Sequence, residues 1–170
     1  NVMLGDCAGF GVGSATDTIA IGRRVFEDNA FSTGSLTGTD NIGIGCYAGA
    51  RMTSGTRNIV MGNQSGRCRT TGNDNIALGT GAFVGSATTT SNTGSTNVAI
   101  GCKALQGVTS GANNIALGEA AGMCITTGSS NFAVGYAMRG ATVTGAANHA
   151  LGYYALNALT SGSCNIALGR

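Results

Sequence analysis

The chain of 170 residues carries 30 glycines, no proline, no tryptophan and only 9% charged residues, a composition unlike that of an ordinary enzyme domain. Hydrophobic residues make up 42% and recur with strict periodicity, which excludes a disordered chain. A net charge of +2 offers neither a basic field for nucleic acid nor an acidic face for cations, and apolar runs of a few residues exclude a membrane-spanning helix.

One phrase, Asn-Ile-Ala-Leu-Gly or a close variant, recurs ten times, at 1–5, 18–22, 41–45, 58–62, 75–79, 97–101, 114–118, 131–135, 148–152 and 165–169. Successive closing glycines are 17, 23, 17, 17, 22, 17, 17, 17 and 17 residues apart. A fixed short period marks a solenoid, each repeat being one coil stacked on the last. The sequence therefore predicts an all-β fold: a parallel β-solenoid, or β-roll, of about ten 17-residue coils forming one repetitive segment over 1–170, with long coils at 22–45 and 79–101. The chain has no initiator methionine or signal peptide, and both ends fall inside a repeat, so it reads as a segment of a longer repetitive protein.

Within each phrase the residues one and three places before the closing glycine are aliphatic, as in Val2 and Leu4, Ile42 and Ile44, Ile76 and Leu78, Ile115 and Leu117. Two positions apart means one face of a strand, and these columns are expected to point into the coil. Between them runs a column of small residues expected on the opposite face: Ala20, Gly43, Ala77, Ala99, Ala116, Ala133, Ala150 and Ala167. A helix is excluded because recurring glycines and Ser/Thr runs each lower helical stability. The phrase opens on Asn in nine repeats, Thr18 being the exception. Asn41, Asn58, Asn75, Asn97, Asn114, Asn131, Asn148 and Asn165 are expected to stack as a hydrogen-bonded ladder. Three residues before the Asn stands a second glycine (Gly38, Gly55, Gly72, Gly94, Gly111, Gly128, Gly145, Gly162), read as a corner that needs a positive φ. The preceding Ser or Thr is read as a turn cap. At the spacing of paired strands, nine steps make a rod about 43 Å long. Each coil has only three or four apolar side chains for its interior, a thin core that invites a neighbouring chain onto the small-residue face.

The first long coil carries Arg23, Arg24, Glu27, Asp28 and Phe31, and the second a polar run including Thr88, Thr89 and Thr90. Insertions in a solenoid emerge as loops on one side and often supply its binding surface, so these residues are candidate surface-binding positions. Cys46 and Cys102 each follow a closing glycine, and Cys68 and Cys124 each lie 22 residues further on. This shared register suggests disulfides Cys46–Cys68 and Cys102–Cys124 between neighbouring coils, within one chain or between chains of a trimer, and with them an oxidising setting. His149 stands in a column otherwise aliphatic or Phe, expected to face inward, where a hydrogen-bonded core histidine is favoured over an ion ligand. No zinc spacing, catalytic triad, paired carboxylates or phosphate loop is present, so neither an enzyme nor a bound cofactor or metal is expected.

The repeats beginning Asn41-Ile-Gly-Ile-Gly-Cys-Tyr-Ala-Gly and Asn114-Ile-Ala-Leu-Gly-Glu-Ala-Ala-Gly resemble the trimeric parallel β-rolls of phage or large-virus tail fibres. They are related in pattern to the heads of trimeric autotransporter adhesins, whose usual period is shorter. The resemblance spans the whole chain and implies a homotrimer, on a virion or cell surface and thus extracellular, with a host-surface receptor or glycan as a further partner. It implies a structural fibre shaft that contributes to adhesion; an adhesin head binding a surface directly is the alternative. An ice-binding solenoid is weaker, because adjacent threonines such as Thr126 and Thr127 would face opposite ways. A hexapeptide acyltransferase helix does not match the 17-residue period, and the Asp-bearing nonapeptide of calcium β-rolls is absent.

Overall fold

Each recurring phrase forms a three-residue strand: β1 (Val2–Leu4), β2 (Ile19–Ile21), β3 (Ile42–Ile44), β4 (Ile59–Met61), β5 (Ile76–Leu78), β6 (Val98–Ile100), β7 (Ile115–Leu117), β8 (Phe132–Val134), β9 (His149–Leu151) and β10 (Ile166–Leu168). In this computed structural model, residues 1–27, 36–68, 71–85, 92–140 and 142–170 are described, and no helix occurs among them. The strands form one ten-stranded parallel sheet in sequence order, a β-solenoid of about nine turns. Register is kept throughout, with Ile59 opposite Ile42 and Ile76, and it survives both long coils, Ile19 pairing with Ile42 and Ile76 with Val98. The ladder hydrogen bonds run in both directions: Ile59 donates to the Asn75 carbonyl of the next coil (2.9 Å) and Gly62 to the Ile44 carbonyl of the preceding one (2.8 Å).

The structure reverses the expected facing of the strands. The small central residues Ala20, Ala77, Ala99, Ala116, Ala133 and Ala150 are fully buried, whereas the flanking aliphatics stand on the outer face, half-buried or exposed. The cause is the narrowness of the coil. A Cβ added at Gly43 would sit 2.6 Å from Cγ1 of Val25 and 2.7 Å from Cζ of Phe26. The strand thus packs so closely against the turn of the preceding coil that only a small side chain fits there. Val60 and, in the first strand, Met3 are the large residues in this column; Gly49 and Gly66 flank Val60 and Gly9 lies against Met3, with no Cβ to collide. Large side chains enter the core from the turns instead: Phe26, Phe83, Leu105, Val108, Ile125 and Met138 are all buried. His149, in a flanking column, is likewise outside the core, its ring 5.9 Å from that of Phe132 on the preceding strand.

The asparagines are buried and bonded coil to coil. Each Asn side-chain oxygen from Asn41 to Asn148 accepts from the next Asn twice, once from the backbone N–H and once from Nδ2; for Asn97 and Asn114 these are 2.9 and 3.0 Å. The same Nδ2 of Asn114 also donates to the Gly128 carbonyl at 2.9 Å. Every amide is therefore satisfied without water, the condition for burying it. Thr18 accepts no such pair: its backbone N–H bonds to the Asn1 side chain, and its hydroxyl turns back to the Thr16 carbonyl.

The corner glycines need correction in their reason. Gly55 is not at positive φ; a Cβ there would lie 2.6 Å from the Gly72 carbonyl oxygen, so the requirement is close approach of stacked backbones. Positive φ falls two residues later, on Asp40, Arg57, Asp74, Thr96, Asn113, Ser130 and Ala147, all at 55–60°. Non-glycine residues in this region carry a steric cost that Asn and Asp bear best.

Two outcomes are expected of the folded chain. Ala116→Leu, which adds three heavy atoms to a closed interior, should lower stability by about 1–3 kcal/mol in denaturant unfolding. Asn114→Asp, which removes both Nδ2 donations and sets a carboxylate against the Asn97 oxygen, should cost roughly 2–4 kcal/mol, more than Asn165→Asp at the end of the ladder.

Candidate functional site

Outside the stacking plan, two groups of polar and aromatic side chains gather on the turns. The first surrounds Tyr47. Arg23 and Arg24 leave the turn after β2, Tyr47 the turn after β3, and Arg67 the turn after β4. The guanidinium carbons of Arg23, Arg24 and Arg67 lie 5.7, 5.6 and 5.9 Å from the centre of the Tyr47 ring, within cation–π range. Arg24 Nη1 donates to the Tyr47 hydroxyl at 2.8 Å, and Arg23 Nη2 to the Cys46 sulfur at 3.4 Å. These two bonds are the leading reason that both guanidinium groups hold their protons more firmly than usual. Arg51 donates to the Cys68 sulfur at 3.6 Å, and Arg67 to the Gln64 side-chain oxygen at 3.3 Å. Glu27 Oε1 approaches Arg24 Nε at 3.7 Å. Arg57, by contrast, is fully engaged: it forks onto Asp74 at 2.6 and 2.8 Å, and that bond holds the Asp74 carboxyl below its ordinary range.

Of the positions singled out in the long coils, Arg23, Arg24 and Glu27 thus come together, while Asp28, Phe31, Thr88, Thr89 and Thr90 lie outside the described residues. Where the first insertion begins and ends, the chain is anchored. Glu27 accepts from the Arg51 N–H at 3.0 Å, and buried Leu36 forms a parallel bridge with Val12. Sequence reading missed Tyr47, Arg51 and Arg67 as partners of this group. Tyr47 occupies the same register as Arg24, 23 residues on, a signal that column alignment across the long coil would have supplied.

The second group lies near the last coils. Tyr136, Tyr153 and Tyr154 have ring centres 4.3–5.5 Å apart, Tyr136 and Tyr153 stacking at 13°. Arg139 lies 3.6 Å over the Tyr136 ring, and a hydrogen bond with Tyr154 pushes the Tyr153 phenol upward. Tyr136 and Tyr153 are one period apart, so their stacking was legible but not drawn from the sequence.

Within the single chain the expected disulfides are not formed. Cys46, Cys68, Cys102 and Cys124 are free, as are Cys7 and Cys164. A separation of 22 is one 17-residue coil plus five residues, so the paired cysteines occupy different columns: Cys46 stacks beside Asn63 and Gln64, and Cys68 beside Ala50 and Arg51. Equal spacing made the two pairs equivalent to each other without making either pair adjacent. Cys124 is partly buried, which raises its thiol pKa, and it donates to the Arg139 carbonyl at 2.8 Å.

Among the described residues no three His, Cys, Asp or Glu side chains converge as a metal site, and no helix is long and apolar enough to cross a membrane. The remaining large feature is the outer face of the sheet. Its two columns hold twenty positions, nineteen of them Val, Ile, Leu, Met or Phe, the twentieth His149. No protein-family model, curated protein or solved structure matches the chain.

Non-reducing peptide mapping of protein prepared without reductant is expected to recover no Cys46–Cys68 or Cys102–Cys124 peptide from a single chain; recovery of either would contradict the column assignment.

Proposed function

We propose that this chain is the shaft of a surface or virion fibre, a non-catalytic spacer that assembles as a homotrimer through its outer aliphatic face. The observation that supports this is the half-covered parallel sheet. Parallel sheets occur almost only with both faces covered, because their strands are apolar on both sides. Here the coil covers the inner face with its own core, and the outer face presents nineteen apolar side chains in a continuous band. If burying each remaining exposed half is worth ~1 kcal/mol, the band holds on the order of 15–20 kcal/mol per chain. That is enough to offset an association cost of about 4–15 kcal/mol. The partner surface thus moves from the small-residue column, which fills the interior, to the aliphatic columns beside it.

The three-fold number and the fibre setting rest on the resemblance of the repeats to trimeric β-rolls, and with them an extracellular location and contact with a host surface. The regular coils support the spacer reading, since nearly every position in them is committed to stacking: buried alanines, bonded asparagines and closely approached corner glycines.

Sedimentation equilibrium should find the wild-type chain as a trimer. Ile115→Lys together with Ile76→Lys, both on the outer face, should yield a monomer whose circular dichroism stays that of a β-solenoid. A wild-type chain that remains a monodisperse monomer at micromolar concentration would overturn the proposal.

A further inference from the structure

We infer that Arg23, Arg24 and Arg67, gathered around Tyr47, form a binding site for a multiply charged oxyanion, the phosphate or sulfate groups of a ligand from outside the chain. The site belongs to the turns that follow β2, β3 and β4 rather than to the apolar strand face, so it does not depend on self-association.

Convergence is the first argument. The turns of three successive coils meet here, Arg23 and Arg24 from the first, Tyr47 from the second and Arg67 from the third, and three guanidinium groups share one aromatic ring at 5.6–5.9 Å. These three arginines are a third of the nine basic residues in the chain. Among the described residues the opposing acids are Glu27, 3.7 Å from Arg24, and Asp6, which acts on Arg23 at longer range. One positive charge is left in excess. Like charges brought together without matching counter-charges repel one another, and an arriving anion relieves that repulsion.

Unused donors are the second argument. The groups that accept hydrogen bonds from these arginines are a cysteine sulfur, a phenol and one amide oxygen, none of them a carboxylate. Nε of Arg24 and Nε of Arg67 are buried and reach no protein acceptor within hydrogen-bond geometry. A guanidinium presents five donors in a planar fork suited to two oxygens at once, and a tetrahedral oxyanion supplies several such oxygens. Arg57 shows what a purely structural arginine does in the same fold: it forks onto Asp74 in the neighbouring coil. In the Tyr47 cluster no carboxylate forks onto a guanidinium in this way, Glu27 lying 3.7 Å from Arg24. Tyr47 then acts as the pivot, its ring face and hydroxyl fixing the guanidinium planes before a ligand arrives, which reduces the ordering that binding would otherwise require.

The test is calorimetric titration of the full chain with inorganic pyrophosphate in one arm and a disulfated disaccharide in the other, at constant ionic strength. Saturable binding is expected in at least one arm, and the tighter arm assigns the ligand as phosphorylated or sulfated. Arg24→Gln and Arg67→Gln should each weaken it by about tenfold, and Arg57→Gln should leave it unchanged. Should a variant fail to fold, the Nε–Hε resonances of Arg24 and Arg67 in the wild-type chain carry the test, since both should shift on titration while that of Arg57 does not. No saturable binding below about 10 mM in either arm, or equal weakening by Arg57→Gln, would overturn the site.

Discussion

Close stacking of backbone on backbone constrains everything else in this chain. At the corner before most strands, as at Gly38, Gly55, Gly111, Gly128 and Gly145, the glycine of one coil approaches the glycine carbonyl of the next so closely that a methyl group has no room. Such an approach buries peptide groups, and the asparagine column takes up those groups. Its oxygen accepts the N–H of the following Asn, and its nitrogen donates to the corner glycine carbonyl of the following coil, as Asn114 does to Gly128. Glycine permits the approach and asparagine satisfies it. From Gly38 and Asn41 onward the two columns recur together, while in the first coil Ala15 holds the corner and Asn1 donates to its carbonyl.

The interior follows from the same closeness. With strand and turn this near each other, core volume cannot be distributed evenly, so it is passed from coil to coil. Phe26 lies over Gly43 and Gly49 of the next coil, where side chains would meet its ring. Val60 then fills the strand column where Gly49 and Gly66 lie against it. Leu105 is matched by Gly122 in the same way. Large residues and glycines alternate along the axis because packing density must be kept while the chain period is fixed. A repeat of identical coils would either collide or leave voids, so the departures from consensus are as much a part of the core as the consensus itself.

Coil number, strand positions and register were legible in the sequence because a stacked fold writes its period directly into the chain: Ile42, Ile59 and Ile76 pair where the spacing of 17 puts them. Which face turns inward was not legible. Alternation groups Ile76 with Leu78 against Ala77, but says nothing of how near the opposing turn lies, and that distance reverses the usual rule that the larger residues go inside. The same limit misplaced His149 and the cysteine pairs. Spacing assigns a residue to a column, whereas contact requires the column's place around the coil. For Arg23 and Arg24 the sequence supplied the residues but not their companions, since Tyr47 and Arg67 reach them from different turns.

Reversal of the strand faces also changes what the rod can do. Had the aliphatic columns been interior, each coil would have closed its own core and presented alanines and glycines outward, a surface compatible with a solitary chain. With alanine inside, the aliphatic side chains remain on a flat face whose edges are strands only three residues wide. Leu4, Ile100, Ile115, Ile166 and Leu168 on this face are exposed. Under the proposed self-association the cover is another molecule with the same repeat along its length. A second copy of this chain meets that condition at every rung, since its columns advance by the same step, whereas a globular partner would match only a few. In that proposal periodicity acts twice, first in stacking one chain on itself along the axis, then in matching it to a second copy across it.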